Sequence, residues 1–351
     1  MTYAEIRKRG ARRRRYFLLL VLLIGALVYA IIRIAVNALH PENVPVDTPP
    51  VIAESTEPTT EALPAATSPT AKQTLPAPTK RSSEGGTIHV KQPYLYLRVN
   101  HTKKIPIILS NNVTADQISW TTNDADIVDV TPDGTITGLM KGTCTVTANY
   151  QGEALEIPVT VRELTTIAGC TYVDDILVAN KTYSLPRDYD PGLLPITEEA
   201  FEQLCIDAAG QGLDIYQGSG YRDYDFQVKV YNSMVNGYSK AYADTWSARP
   251  GHSEHQTGYT IDCNSIDNEH FADTPEGKWL AAHCHEYGFI IRYPKGKEKI
   301  TGYDYESWHI RYVGKEHAKI IHDQDITLEE YLDIDSAYQD GDPDASLIGD
   351  D

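Results

Sequence analysis

The chain has 351 residues, with 49 acidic against 31 basic side chains and a formal net charge of −18. So large a negative excess excludes a general nucleic-acid binder, which meets phosphate with a basic face. At 41% hydrophobic residues the chain can bury more than one core, and its five cysteines, Cys144, Cys170, Cys205, Cys263 and Cys284, show no metal-type spacing.

Residues 1–15 set Arg7, Lys8, Arg9 and Arg12 to Arg15 against Glu5, a basic flank of net +6 that leaves −24 for the rest of the chain. Tyr16 to Val36 is apolar except for Arg33, and its 21 residues match a hydrocarbon core of about 30 Å. The segment 16–38 is therefore expected to be a single-pass transmembrane helix. By the positive-inside tendency the N-terminus is cytoplasmic and everything beyond is extracellular. A cleaved signal peptide ending near Ala38 is the alternative, because Val36, Asn37 and Ala38 resemble a small-residue cleavage site.

Residues 39–86 are rich in Pro, Thr, Ala, Ser and Glu with few large apolar side chains, so they cannot offset the entropy of ordering and read as a disordered stalk. Residues 87–163 alternate apolar and polar in short runs such as Tyr94 to Val99 and Thr143 to Ala148. Turn signals at Pro132, Asp133, Gly134 and at Lys141, Gly142 separate them, the pattern of an all-β sandwich. Trp120 reads as a core residue of that sandwich. Residues 164–335 mix strands with a helix from about Thr197 to Ala209, a long helix near 225–241, and a helix capped by Thr274, opened by Pro275 and closed by Gly288. This is an α+β domain with an antiparallel sheet. An acidic tail, 336–351, ends the chain.

The chemistry concentrates in the α+β part. His255, Asp262 and His309 supply two imidazoles and a carboxylate, enough for a catalytic zinc with an open position, and Glu306 supplies a base outside the metal shell. His255 and Asp262 are seven apart and would face opposite ways along one strand, so a turn must intervene, and Gly258 allows it. From His309 to Val313 the alternation of a strand puts His309, Arg311 and Val313 on one face, with Glu306 in the turn or bulge before them. Cys263 then points away from the metal into packing. His252, in the turn at Pro250 and Gly251, reads as a cleft-edge side chain. His283 and His285, two apart on a helix, do not face each other and read as one packed and one solvated residue.

Four segments, Ser219 to Arg222, Arg249 to His255, Gly288 to Gly296 and Glu306 to Gly314, occur in that order and resemble VanY-type zinc carboxypeptidases. These are relatives of the D-Ala-D-Ala dipeptidases and of the lysostaphin and Hedgehog metal-binding domains. The family pattern Ser-x-His-x-x-Gly-x-Ala-x-Asp followed by Glu-x-Trp-His is met at every metal-related position. Thr260 stands where the family has a small apolar residue.

The resemblance implies one catalytic zinc on His255, Asp262 and His309. It makes Glu306 the general base and Arg222 the stabiliser of charge on the scissile carbonyl oxygen, with Ser253 and Gln227 as candidates for holding the substrate's terminal carboxylate. The implied substrate is the peptidoglycan stem peptide, trimmed of its C-terminal D-alanine at a D,D or an L,D bond. Alternatives are a cross-bridge endopeptidase and a non-catalytic zinc-bearing wall-binding module. Residues 87–163 resemble a bacterial immunoglobulin-like domain of group two, which implies an extracellular spacer or adhesive module. For the cysteines, one disulfide within the α+β part and buried free thiols remain equally open.

Overall fold

The computed structural model describes residues 88–110, 113–264 and 270–338. The expected transmembrane helix at 16–38, the stalk at 39–86 and most of the acidic tail lie outside the described residues. Among the described residues no helix is long and apolar enough to cross a membrane.

Between residues 88 and 162 the described chain is built of strands and one short 3-10 turn. They are β1 (Ile88–Val90), β2 (Leu95–Arg98), β3 (Thr102–Lys104), β4 (Ile107–Leu109), β5 (Ser119–Thr122), β6 (Val128–Val130), β7 (Thr135–Gly138), β8 (Gly142–Tyr150) and β9 (Glu153–Arg162). One sheet runs β2-β9-β8-β5, a second β3-β7-β6, and β1 pairs with β4. Alternation in β8 turns Cys144, Val146 and Ala148 inward while the intervening threonines stay half-exposed. Val146, Ile157, Val159 and Leu97 from the first sheet meet Val128 and Ile136 from the second in a shared core. Trp120 packs against that core. Gly134, at φ +78, lies under the indole, where an added Cβ would come within 2.6 Å of the ring.

A single residue, Glu163, separates β9 from β10 (Leu164–Ile167), which pairs with β11 (Cys170–Val173) and through it β12 (Ile176–Val178). The C-terminal half then follows as α1 (Pro195–Gly210), β13 (Gln217–Ser219), α2 (Tyr224–Gly237), α3 (Lys240–Trp246), β14 (Thr260–Cys263), α4 (Pro275–His283), β15 (Phe289–Tyr293), α5 (Glu298–Thr301), β16 (Glu306–Tyr312), α6 (Lys315–Gln324) and α7 (Leu328–Leu332). Its sheet is antiparallel throughout, in the order β13-β14-β16-β15. The long helix expected near 225–241 is two helices. Gly237 ends the first, and Ser239 starts the second by accepting a hydrogen bond from the Tyr242 amide. The helix capped by Thr274 ends at His283 and continues as a 3-10 turn to Tyr287, with Gly288 at φ +94.

One face of the sheet, through Ile261, Cys263, Trp308 and Ile310, packs on Phe201 and Leu204 of α1 and on Trp279 and Leu280 of α4. All five cysteines are unpaired thiols, and Cys263 sits in this core, pointing away from the neighbouring carboxylate.

The two halves are tied together at α7. Tyr96 of β2 stacks edge-on against Tyr331 and donates to Gln324. Arg162 donates to the Tyr331 carbonyl and lies 4.0 Å over its ring. Asp333, which ends α7, accepts from the Arg98 amide and from Lys103 Nζ and faces His101.

Candidate active site

The second face of the sheet carries the polar cluster. Asp262 on β14 stands directly across from His309 on β16, so alternation delivers both side chains to the same side, with Oδ1 and Nδ1 3.2 Å apart. His255 arrives from a 3-10 turn, Glu254–Thr257, capped by Ser253, whose hydroxyl accepts from the His255 amide. The chain then reverses at Gly258, φ +77, where a Cβ would lie 2.4 Å from the Gly192 carbonyl oxygen, so only glycine fits. That reversal brings His255 Nε2 to 3.2 Å from Asp262 Oδ2. The turn expected from the spacing is thus present at the expected residue.

His255 Nδ1 lies 2.6 Å from the Gly220 carbonyl oxygen. A carbonyl only accepts, so this nitrogen carries the proton and Nε2 keeps its lone pair. Ligand atoms of His255, Asp262 and His309 all lie within 4.8 Å of one another, and the three residues are buried. Glu306 joins them through an irregular stretch. The pairing of β15 with β16 shifts register between Ile291 and Tyr293, which turns Glu306 onto the His309 side, its Oε2 3.2 Å from Nδ1. Burial pushes the Glu306 carboxyl above its usual range.

These residues fit a divalent metal on the chemistry of the donor set, two imidazoles and a carboxylate. Two electrostatic observations agree. Asp262 Oδ1 is buried without a hydrogen-bond donor. Burial works against a charge on His309, yet Asp262, Glu254 and Glu306 together hold its pKa well above the ordinary histidine value, so the cluster favours a cation. Burial and the Arg222 guanidinium push His255 the other way, down to about 4.

Arg222 Nη2 lies 2.7 Å from His255 Nε2 and 3.1 Å from Asp262 Oδ2, at the rim of the ligand set. Gln227 is buried, and its amide is spent internally. Its Oε1 accepts from Arg222, and its Nε2 donates to the Ala248 carbonyl and the Ser247 hydroxyl. These bonds tie Gln227 to Arg222 at the wall of the cleft. Ser253 lines the cleft while capping the His255 turn. The cleft above the cluster encloses about 400 Å³, with Met234, Tyr238, Tyr242, Trp246 and Tyr293 among its walls.

Three histidines are placed differently from expectation. His252 is buried at 3% exposure, not at the cleft edge, because its ring donates to the Asn180 carbonyl and meets Tyr338 edge-on. His283, packed on Trp279, and His285 are both half-buried. His285 stacks on His322 with centroids 3.7 Å apart and planes 12° apart, a parallel arrangement in which one ion cannot lie in both ring planes.

Sequence reasoning missed Glu254. It is 1% exposed, with Oε1 accepting from Arg292 and Arg311 and Oε2 3.7 Å from His309 Nε2. The available signal was a pair of arginines, Arg292 and Arg311, inside apolar strand runs. Buried guanidiniums require carboxylate partners.

A family model described as VanY, D-alanyl-D-alanine carboxypeptidase, matches residues 192–315, a span that contains every residue of the cluster. VanXYC of Enterococcus gallinarum, a bifunctional D-Ala-D-Ala dipeptidase and carboxypeptidase, is 38% identical over 153 residues, covering 42% of this chain and 80% of its own. Three other curated relatives are spanned over 42%, 66% and 67% of their lengths. Among solved structures, an L,D-carboxypeptidase, DacB of Streptococcus pneumoniae, is 41% identical, covering 50% of this chain and 98% of that one at a TM-score of 0.46. A vancomycin-resistance D,D-pentapeptidase, a VanY variant in complex with Zn(II), is 34% identical, covering 44% and 97% at a TM-score of 0.40. With the matched span enclosing the whole polar cluster and a relative aligned over four-fifths of its length, the chain belongs to the VanY-type D-alanyl-D-alanine carboxypeptidase family of hydrolases.

Proposed function

We propose that the protein is a zinc carboxypeptidase that removes the C-terminal D-alanine from peptidoglycan stem peptides. The observation that carries this reading is Glu306, a buried carboxylate 3.2 Å from His309 Nδ1 in the lining of the cleft. A recognition module has no use for a base at that place. The D-Ala-D-Ala carboxypeptidase activity named for a curated relative supports this reading.

Zinc held by His255, Asp262 and His309 would supply a Lewis acid and a water acidified to a pKa of about 7. Glu306 takes the proton of the attacking water and returns it to the leaving amine as the C–N bond breaks. Burial, which raises its pKa, suits it to both transfers. Arg222 presents its guanidinium to the cleft, where it stabilises the oxygen on which negative charge develops. Gln227 holds the guanidinium for that task. The Gly220 carbonyl orients His255 by accepting its Nδ1 proton.

The test is mass spectrometry of the full-length protein with added zinc, incubated separately with stem pentapeptide and stem tetrapeptide, with Glu306→Gln as control. Loss of one alanine from one peptide names the bond. If zinc is bound and neither peptide is shortened, the carboxypeptidase reading fails. Cleavage of cross-linked muropeptides would then support an endopeptidase, and no cleavage a binding module.

The basic flank and apolar run of residues 1–38 support a membrane anchor with the catalytic half outside the cell. The strands of residues 88–162 then form a spacer of the bacterial immunoglobulin-like kind. Reporter fusions at residue 87 that are active only in the cytoplasm would refute that topology.

A further inference from the structure

Glu254 has one oxygen fully engaged and one left over. Oε1 accepts from Arg292 Nε at 2.7 Å and from Arg311 Nη1 at 3.0 Å. Oε2 is buried without a donor and faces His309 Nε2, itself buried without an acceptor, across 3.7 Å. We infer, resting on the metal-site reading above, that Glu254 is a positioning residue for His309: its Oε2 receives the Nε2 proton and leaves Nδ1 as the ligand atom.

The surrounding charges make this arrangement directional. Arg292 lies on β15 and Arg311 on β16, two residues beyond His309, so the carboxylate is pinned to the strand that carries the ligand. Arg292 is independently matched by Glu329, whose Oε2 accepts from its Nη1 at 2.9 Å. Two guanidiniums and two carboxylates thus balance, and that balance does not require Oε2 to aim at an imidazole. A carboxylate on the outer nitrogen of a metal-bound histidine fixes its tautomer and raises its basicity, and losing such a partner costs about 10- to 100-fold in metal affinity.

Glutamine at position 254 tests the geometry. Its carbonyl oxygen must stay with the two guanidiniums, since an NH₂ group there would oppose their donors. The NH₂ group then faces His309 Nε2 and forces the ring proton to Nδ1, the ligand atom. Glu329→Gln removes a charge from the same buried cluster without touching His309. Zinc affinity of the full-length protein, read by competition with a chromophoric chelator, should fall about 10- to 100-fold in Glu254→Gln and stay within about 3-fold of wild type in Glu329→Gln. Equal loss in both variants, or no loss in Glu254→Gln, overturns the inference.

A wild-type measurement covers the case in which the variant does not fold. Long-range ¹H–¹⁵N spectra of the zinc-loaded protein should show His309 protonated at Nε2 with Nδ1 shifted by metal. Protonation at Nδ1 overturns the inference while leaving the metal site standing. Failure of wild type to bind zinc refutes the metal-site reading itself and this inference with it.

Discussion

Replacing Gly258 with alanine probes the turn on which the cluster depends. A left-handed conformation costs an L-residue about 1–2 kcal/mol, and Gly258 sits at φ +77. The new Cβ would lie 2.4 Å from the Gly192 carbonyl oxygen and 3.0 Å from Leu194 Cγ. Backbone cannot swing aside as a side-chain tip does, and overpacking of this kind costs typically about 1–3 kcal/mol. The two terms give about 2–5 kcal/mol, and at about 2–4 °C per kcal/mol for a unit of 150–250 residues the melting temperature should fall by roughly 4–20 °C. Relief of the clash must shift the segment that joins His255 to Asp262, and a misplacement on the order of 1 Å can cost about 10²-fold in rate. Differential scanning calorimetry and stem-peptide turnover on the same zinc-loaded sample measure both effects. A variant that melts within 1 °C of wild type and turns over within about 2-fold would show that the turn tolerates a side chain, and the argument would be wrong.

Glu306→Gln should keep zinc bound and lower kcat by about 10²- to 10⁴-fold; undiminished turnover would remove Glu306 from the base role. For Arg222→Ala the expected loss is about 10²-fold or more in kcat, whereas a change confined to KM would place Arg222 on uniform substrate binding. Arg292→Met leaves Glu254 and Glu329, each 1% exposed, short of a cation. Its cost should be about 3–5 kcal/mol by chemical denaturation. Because the site is buried, that loss should persist in 0.5 M salt, and a loss that salt abolishes would place the network at the surface.

The local chemistry of the cluster was legible because its positions follow from strand parity and one glycine. Asp262 and His309 share a face through direct cross-strand pairing, and Gly258 reverses the chain where parity required a reversal. Threonines alternating with apolar residues in β8 likewise announced a half-buried strand. What escaped notice depended on contacts between distant segments. The bonds of Gln227 to Ala248 and Arg222 join segments that no local pattern brings together. His252 reads as a cleft-edge side chain from its Pro-Gly turn, and Asn180 and Tyr338 bury it. The helix break at Gly237 was marked by Ser239, a capping residue whose role is ambiguous inside an amphipathic run. Glu254 was passed over because its partners lie on strands 38 and 57 residues away.

Halves of a chain that meet through a small polar contact are expected to reorient freely. Here the connection is Glu163 alone, and α7 is gripped by Tyr96, Arg98, Lys103 and Arg162 at once. The cleft therefore has no swivel of its own. It points in a direction set by the strands of the N-terminal half, and any reorientation of it must be made by the whole unit turning as one piece.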